Sequence, residues 1–168
     1  MKNPIARSES STQLRRLALA VALLVVVADQ LSKRWALDHL PPGQSQGFLP
    51  GLLNLQLVSN TGAAFSLFTG APQLLGLVSL LASGAVLLWI LRQPLHGRWE
   101  SLGLGFLLGG ALGNGLDRWR IGSVVDFLAL VPFQFPVFNL ADVAINLAVL
   151  CLVVHLMRPT RGGGNTHG

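Results

Sequence analysis

A chain of 168 residues that is 51% hydrophobic, only 11% charged and rich in glycine (19 residues) has the composition of a polytopic membrane protein, which excludes an ordinary soluble domain. The formal net charge of +5 is carried by clusters at the chain ends and in one short loop, a pattern that reports membrane topology and makes nucleic acid an unsuitable partner.

The first predicted span covers residues 17–40 and contains Asp29 and Lys33, an acid four residues before a base, the favoured orientation for a helical ion pair. The basic start and the apolar run ending in Val26-Val27-Ala28 also fit a cleaved signal peptide. Because the apolar pattern continues past Asp29 and more spans follow, an uncleaved first helix is the expectation. Residues 41–70 form a long outer connection. Within it Leu53-Asn54-Leu55-Gln56-Leu57 alternates as a strand does, Asn60-Thr61-Gly62 supplies turn chemistry, and Ala63-Ala64-Phe65 returns the chain to the membrane surface.

The second span, residues 72–92, includes an uncharged stretch from Leu74 to Leu91 that is about long enough to cross the hydrocarbon core. The third, residues 101–117, carries a stripe of Gly105, Gly109 and Gly113 that lets another helix come close, and it ends at Asp117-Arg118. In residues 118–138 the prolines preclude one continuous helix, while Phe133, Phe135 and Phe138 favour the interface and put Asp126 near the headgroups. The fourth span is residues 138–157, and residues 159–168 read as a disordered tail. The expectation is one domain over 1–168, an all-α membrane protein of four transmembrane helices with a small extracytoplasmic β-sheet.

Four spans place both termini on one side. Lys2, Arg7, Arg15 and Arg16 before the first span, Arg92 and Arg98 between the second and third, and Arg158 and Arg161 after the fourth make that side cytoplasmic.

An acid at bilayer depth costs about 2.5–3.5 kcal/mol on insertion scales, so intramembrane carboxylates are functional candidates. Asp126 and Asp142 stand at the outer ends of neighbouring segments, where two carboxylates sharing a proton could act as an aspartyl hydrolase. Asn139, Asp142 and Asn146 share one helix face, expected to turn inward, and Asn114 with Asp117 repeats that spacing. Asparagines of this kind also serve as interhelical glue. Arg118 is a candidate to reach Asp126 or a substrate carbonyl. The scattered histidines offer no zinc spacing, no Gly-x-Ser-x-Gly elbow is present, and Cys151 reads as a small buried apolar side chain. A proton or ion relay and a non-catalytic assembly subunit are the rival readings, the first short of inner-side acids because Glu9 and Glu100 lie outside the spans.

Five blocks in this chain resemble the lipoprotein signal peptidases (signal peptidase II), bacterial aspartyl proteases of the inner membrane. They are Asp29-Gln30-Leu31-Ser32-Lys33; Asn60-Thr61-Gly62-Ala63-Ala64-Phe65-Ser66; Gly109-Gly110-Ala111-Leu112-Gly113-Asn114 with Asp117-Arg118; Val124-Val125-Asp126-Phe127; and Phe138-Asn139-Leu140-Ala141-Asp142. The resemblance implies cleavage of prolipoprotein signal peptides before a diacylglyceryl-modified cysteine, with Asp126 and Asp142 as catalytic dyad and no metal or cofactor. It further implies that Asn60, Asn114, Arg118 and Asn139 position substrate and dyad, that Asp29, Lys33 and Asp117 support the site, and that the outer sheet cradles the peptide. A monomer among membrane lipids, with its site at the extracytoplasmic face, is the corresponding expectation.

Overall fold

The structure is a computed structural model that describes residues 10–62 and 72–158; the Ala63-Ala64-Phe65 return and the tail from 159 lie outside the described residues. Four helices and three strands follow one another along these residues: α1 Ser11–His39, β1 Ser45–Leu49, β2 Leu53–Asn60, α2 Pro72–Arg92, α3 Arg98–Ile121, β3 Val124–Leu130 and α4 Leu140–Met157. A helix occupies each of the four predicted segments; α1 starts earlier, at Ser11, and α3 extends past its segment at both ends, from Arg98 to Ile121. Of these helices, α2 and α4 are long and apolar enough to cross a membrane by length and composition.

α1 begins at Ser10, whose hydroxyl accepts from Gln13 N while the Gln13 side chain accepts from Ser10 N, a reciprocal cap. It then runs unbroken through Ala28-Asp29 to His39. α3 ends at Gly122, whose φ of 74° is the left-handed conformation that glycine adopts without penalty, and this turns the chain directly into β3.

α3 is the hub. Its glycines bring two neighbours to backbone contact: a Cβ on Gly109 would come within 2.6 Å of Val25 Cβ and 2.8 Å of Ala22 O on α1, and one on Gly110 would come within 2.6 Å of Ala141 O on α4. The small-residue stripe is therefore the α1–α3 seam, as its spacing implied. Below it, Leu14, Ala18, Ala22, Ile90, Leu95, Leu104 and Leu108 form an apolar core.

The sheet is antiparallel, in the order β1-β2-β3. β3 is a strand that no alternation announces, because Val124 to Leu128 is buried on both faces and so reads as a continuous run. It packs through Phe127 and Leu128 against Ala36 and Leu40 of α1. A register shift in β2 between Leu55 and Val58 resets the pairing so that Val58 faces Asp126 and Asn60 faces Val124. Asn60 and Asp126 thereby become diagonal neighbours on one face of the sheet.

Candidate active site

Four elements deliver carboxylates and amides to one place, near the end of α3 and the start of α4. The approach of α4 is fixed first: Phe127 N and Leu128 N both donate to Phe138 O, at 3.0 and 2.8 Å, and Phe138 N returns a bond to Leu128 O at 2.9 Å. This short bridge holds the next residue, Asn139, against β3 at the point where Asp126 projects.

Asn139 caps α4. Its Oδ1 accepts from Asp142 N at 3.0 Å, and its own N donates to Asp142 Oδ2 at 3.2 Å. Its Nδ2 donates to Asp126 Oδ1 at 2.6 Å. One wholly buried asparagine thus touches both carboxylates. Asp126 Oδ2 accepts from Asn60 Nδ2 at 2.9 Å, and Asp142 Oδ1 accepts from Asn114 Nδ2 at 2.8 Å. A capping role alone would occupy only one oxygen of Asp142. The second is aimed at α3.

Behind the pair lies a buried ionic cluster. Lys33 Nζ is 2.9 Å from Asp29 Oδ2, 2.9 Å from Asp117 Oδ2 and 2.9 Å from Asn114 Oδ1. The predicted Asp29–Lys33 pair is therefore present, with Asp117 as a second acid. Asp29 Oδ1 accepts from Ala141 N at 3.0 Å, so α1 supplies a carboxylate to the amino end of α4. Asp117 Oδ2 also accepts from Val125 N at 3.2 Å, tying the base of β3 to α3. Gln30, to which sequence reasoning gave no role, donates to Asp117 Oδ1 at 3.0 Å and Gly113 O at 3.2 Å; its only signal was its place beside Asp29.

Two expectations change. Arg118 does not bond Asp126: its Nη2 donates to the O of Gly62, two residues past β2, at 3.1 Å, while its Nε is buried with no hydrogen-bond partner among the described residues. Asn146 does not turn inward but is exposed, its amide returned to Asp142 O one turn back at 2.9 Å. The α4 residues that meet the glycines of α3 are Ala141, Ile145, Ala148 and Leu152, and Asn146 lies one position off that stripe.

Asp126 is 2% exposed. Burial, opposed by the Asn60 and Asn139 bonds and reinforced by the Asp142 charge, pushes its carboxyl up from 3.8 to about 6. Two acids within one hydrogen-bonded residue, one of them holding its proton well above the ordinary carboxylate range, can move a proton onto and off a reacting group. No grouping of three or more metal-ligating side chains occurs among the described residues. A groove of about 320 Å³ between α2 and α3, lined by Ser79, Ser83, Leu112 and Trp119 among others, contains none of these site residues and is almost wholly apolar.

The family model described as Signal peptidase (SPase) II matches residues 21–158. The lipoprotein signal peptidase of Synechococcus sp. (strain RCC307) is 59% identical over 135 residues, which cover 80% of this chain and 89% of that protein. That of Gloeobacter violaceus (strain ATCC 29082 / PCC 7421) is 48% identical over 82% of this chain and 79% of its own length. A solved bacterial membrane enzyme structure, determined by the in meso method, superposes with a TM-score of 0.78 at 25% identity, covering 87% of this chain and 94% of that one.

Proposed function

This chain belongs to the signal peptidase II family, the membrane peptidases that remove signal peptides from prolipoproteins, and we propose that it does so by aspartic chemistry with Asp126 and Asp142 as the catalytic pair. The observation that carries this reading is the double engagement of Asn139, bonded to Asp126 at 2.6 Å and to Asp142 at 3.2 Å. One carboxylate takes a proton from water as the oxygen attacks the scissile carbonyl, and the other, protonated, donates to the carbonyl oxygen.

In this reading Asn60, Asn114 and Asn139 hold the dyad, and the unpartnered Nε of Arg118 is a donor ready for a substrate carbonyl. Asp29, Lys33 and Asp117 brace the helices that carry it. All four helices cross a bacterial inner membrane, both termini are cytoplasmic and the dyad faces outward; the basic residues at the inner helix ends support this. The enzyme acts as a single domain and a monomer.

The scissile bond precedes a diacylglyceryl-modified cysteine. Phe48, Leu52, Phe133 and Phe135 are exposed around the sheet, an apolar rim suited to the outer leaflet in which the substrate's acyl chains lie. A proton relay across the membrane is disfavoured because Glu100, at the other end of α3, is occupied by His96 N at 2.6 Å. The test is cleavage of a lipidated prolipoprotein by the purified protein in detergent. Parent activity with none in Asp126→Asn or Asp142→Asn is expected, and substantial turnover by either variant would remove the dyad.

A further inference from the structure

Resting on the dyad reading, we infer that the two carboxylates are not equivalent: Asp142 is the ionised member that activates water, Asp126 carries the proton, and Lys33 acting through Asn114 sets this asymmetry.

The argument starts from amide orientation. An ammonium can only donate, so the oxygen of Asn114 must face Lys33 Nζ, and it also accepts from Asn139 Nδ2 at 3.1 Å. The Asn114 NH₂ is left facing Asp142 Oδ1 and cannot turn without confronting Lys33 with another donor. A cation on the amide oxygen withdraws electron density from the N–H, which makes it a stronger donor to a negative oxygen. Asp142 Oδ2 accepts a backbone N–H in the first turn of α4, where the helix end also favours an anion.

Asp126 has as many donors, Asn60 Nδ2 and Asn139 Nδ2, but it lies on β3 outside the first turn of a helix, and neither of those amides carries a cation on its oxygen. Asn60 is held by Gly62 N on its Oδ1 at 3.0 Å, and Asn139 by Asp142 N. The donor count is therefore equal. Charge decides between the two. The charged groups facing the site are Asp29 and Lys33 from α1, Asp117 and Arg118 from α3, Asp126 from β3 and Asp142 from α4; none comes from the described part of β2. With four acids and two cations, keeping one proton limits the excess negative charge. The amide path from Lys33 runs through Asn114 to Asp142 and not to Asp126, which favours placing the negative charge on Asp142.

The proton balance is complete without any added reagent. Water adds its oxygen to the carbonyl carbon, one of its protons goes to Asp142, and the Asp126 proton goes to the carbonyl oxygen, giving a gem-diol. The C–N bond then breaks as Asp142 returns its proton to the leaving nitrogen. Asp126 recovers a proton from a gem-diol hydroxyl, leaving a carboxylic acid product and the starting enzyme.

Lys33 and Asn114 are positioning residues here, and a structural role alone would not move the readouts that follow. Infrared spectra of the purified full chain in detergent are recorded from about pH 4 to about pH 8, following the protonated-carboxyl C=O stretch. The band that persists above the ordinary carboxylate range is expected to vanish in Asp126→Asn and to remain in Asp142→Asn. Its loss in Asp142→Asn, whether alone or together with loss in Asp126→Asn, or its survival in both, overturns the assignment while leaving the dyad intact. The dyad itself stands or falls separately, by whether those variants cleave. In parallel, Asn114→Ala leaves Lys33 bonded to Asp29 and Asp117 but cuts its path to Asp142. The acid limb of its kcat/KM profile is expected about one pH unit higher than the parent's. An unmoved limb overturns the role of Lys33. If that variant does not fold, the infrared pair still decides which acid holds the proton.

Discussion

α2 and α3 make an instructive pair. α2 carries no charge from Leu74 to Leu91, and it leaves Leu74, Leu77, Val78, Leu80, Leu81, Leu88 and Trp89 exposed at its surface. α3 is interrupted by glycines and ends in Asn114, Asp117 and Arg118, yet it buries twelve residues and packs against each of the other helices. Hydropathy reports how much surface a helix can offer to lipid, so the cleanest span is the most peripheral. The helix that looks least suited to a membrane is the one the others surround, because its glycines permit close approach and its polar end finds partners.

The largest effect expected to sharpen this contrast is chemical. Asp126→Asn and Asp142→Asn are each expected to lose at least about a thousand-fold in kcat while accumulating at parental levels, as general acid–base groups do. Next is the ionic cluster beside α3. Lys33→Met leaves Asp29 and Asp117 buried without their cation and is expected to cost about 3–5 kcal/mol in thermal or denaturant unfolding. Leu81→Ala on α2, by contrast, is expected to stay within about 0.5 kcal/mol. Equal losses from both would erase the distinction.

The same small change should have opposite signs on the two helices. Gly109→Ala drives a Cβ to 2.6 Å from Val25 Cβ and is expected to destabilise by about 1–3 kcal/mol, whereas the Gly84 Cβ position has nothing within 4 Å. Gly84→Ala is expected to gain about 0.5–1 kcal/mol through helix propensity. Melting both variants side by side tests the seam directly.

The smallest effect is a pH dependence. Asp126 keeps its proton to about 6 in the folded chain but releases it near 3.8 when unfolded, so the unfolded state binds fewer protons between those values. That contribution is present at low pH and is lost as pH rises through the interval. Asp126→Asn cannot titrate, so its melting temperature is expected to rise relative to the parent's between about pH 4 and about pH 6 and to keep a constant offset above. A constant offset across the whole range would mean that burial does not hold this proton.

Much of this was readable from the chain alone, and the reasons differ by residue. The four helices, the β2 alternation and the Asp29–Lys33 pair follow from periodicity and local spacing, which need no knowledge of the tertiary structure. Asp126 and Asp142 stand out as costly acids in apolar surroundings, Asn114 and Asn139 as polar positions on helix faces, and Asn60 only through the family resemblance, and they do meet. Which bonds which was not legible: the partner of Asp117 is Lys33, 84 positions earlier, and that of Arg118 is the carbonyl of Gly62, just past β2. Such pairings depend on how α1 and the sheet pack around α3. β3 escapes because a strand buried on both faces has no period, and Asn146 because the polar spacing does not say which stripe of α4 meets α3: that stripe is Ala141, Ile145, Ala148 and Leu152.

The hydrogen bond from Ala141 N to Asp29 joins residues 112 positions apart, near the two ends of the described chain. A ribosome delivers those residues in one direction and far apart in time. α1, β2, α3 and β3 all emerge before α4, so a growing chain already contains Asp29, Lys33, Asn60, Asn114, Asp117 and Asp126 but lacks Asn139 and Asp142. A hydrolase assembled this way has no working half. In the proposed dyad reading the site stays incomplete until α4 has been made, so a copy still lacking α4 has no means of cutting the precursors made beside it.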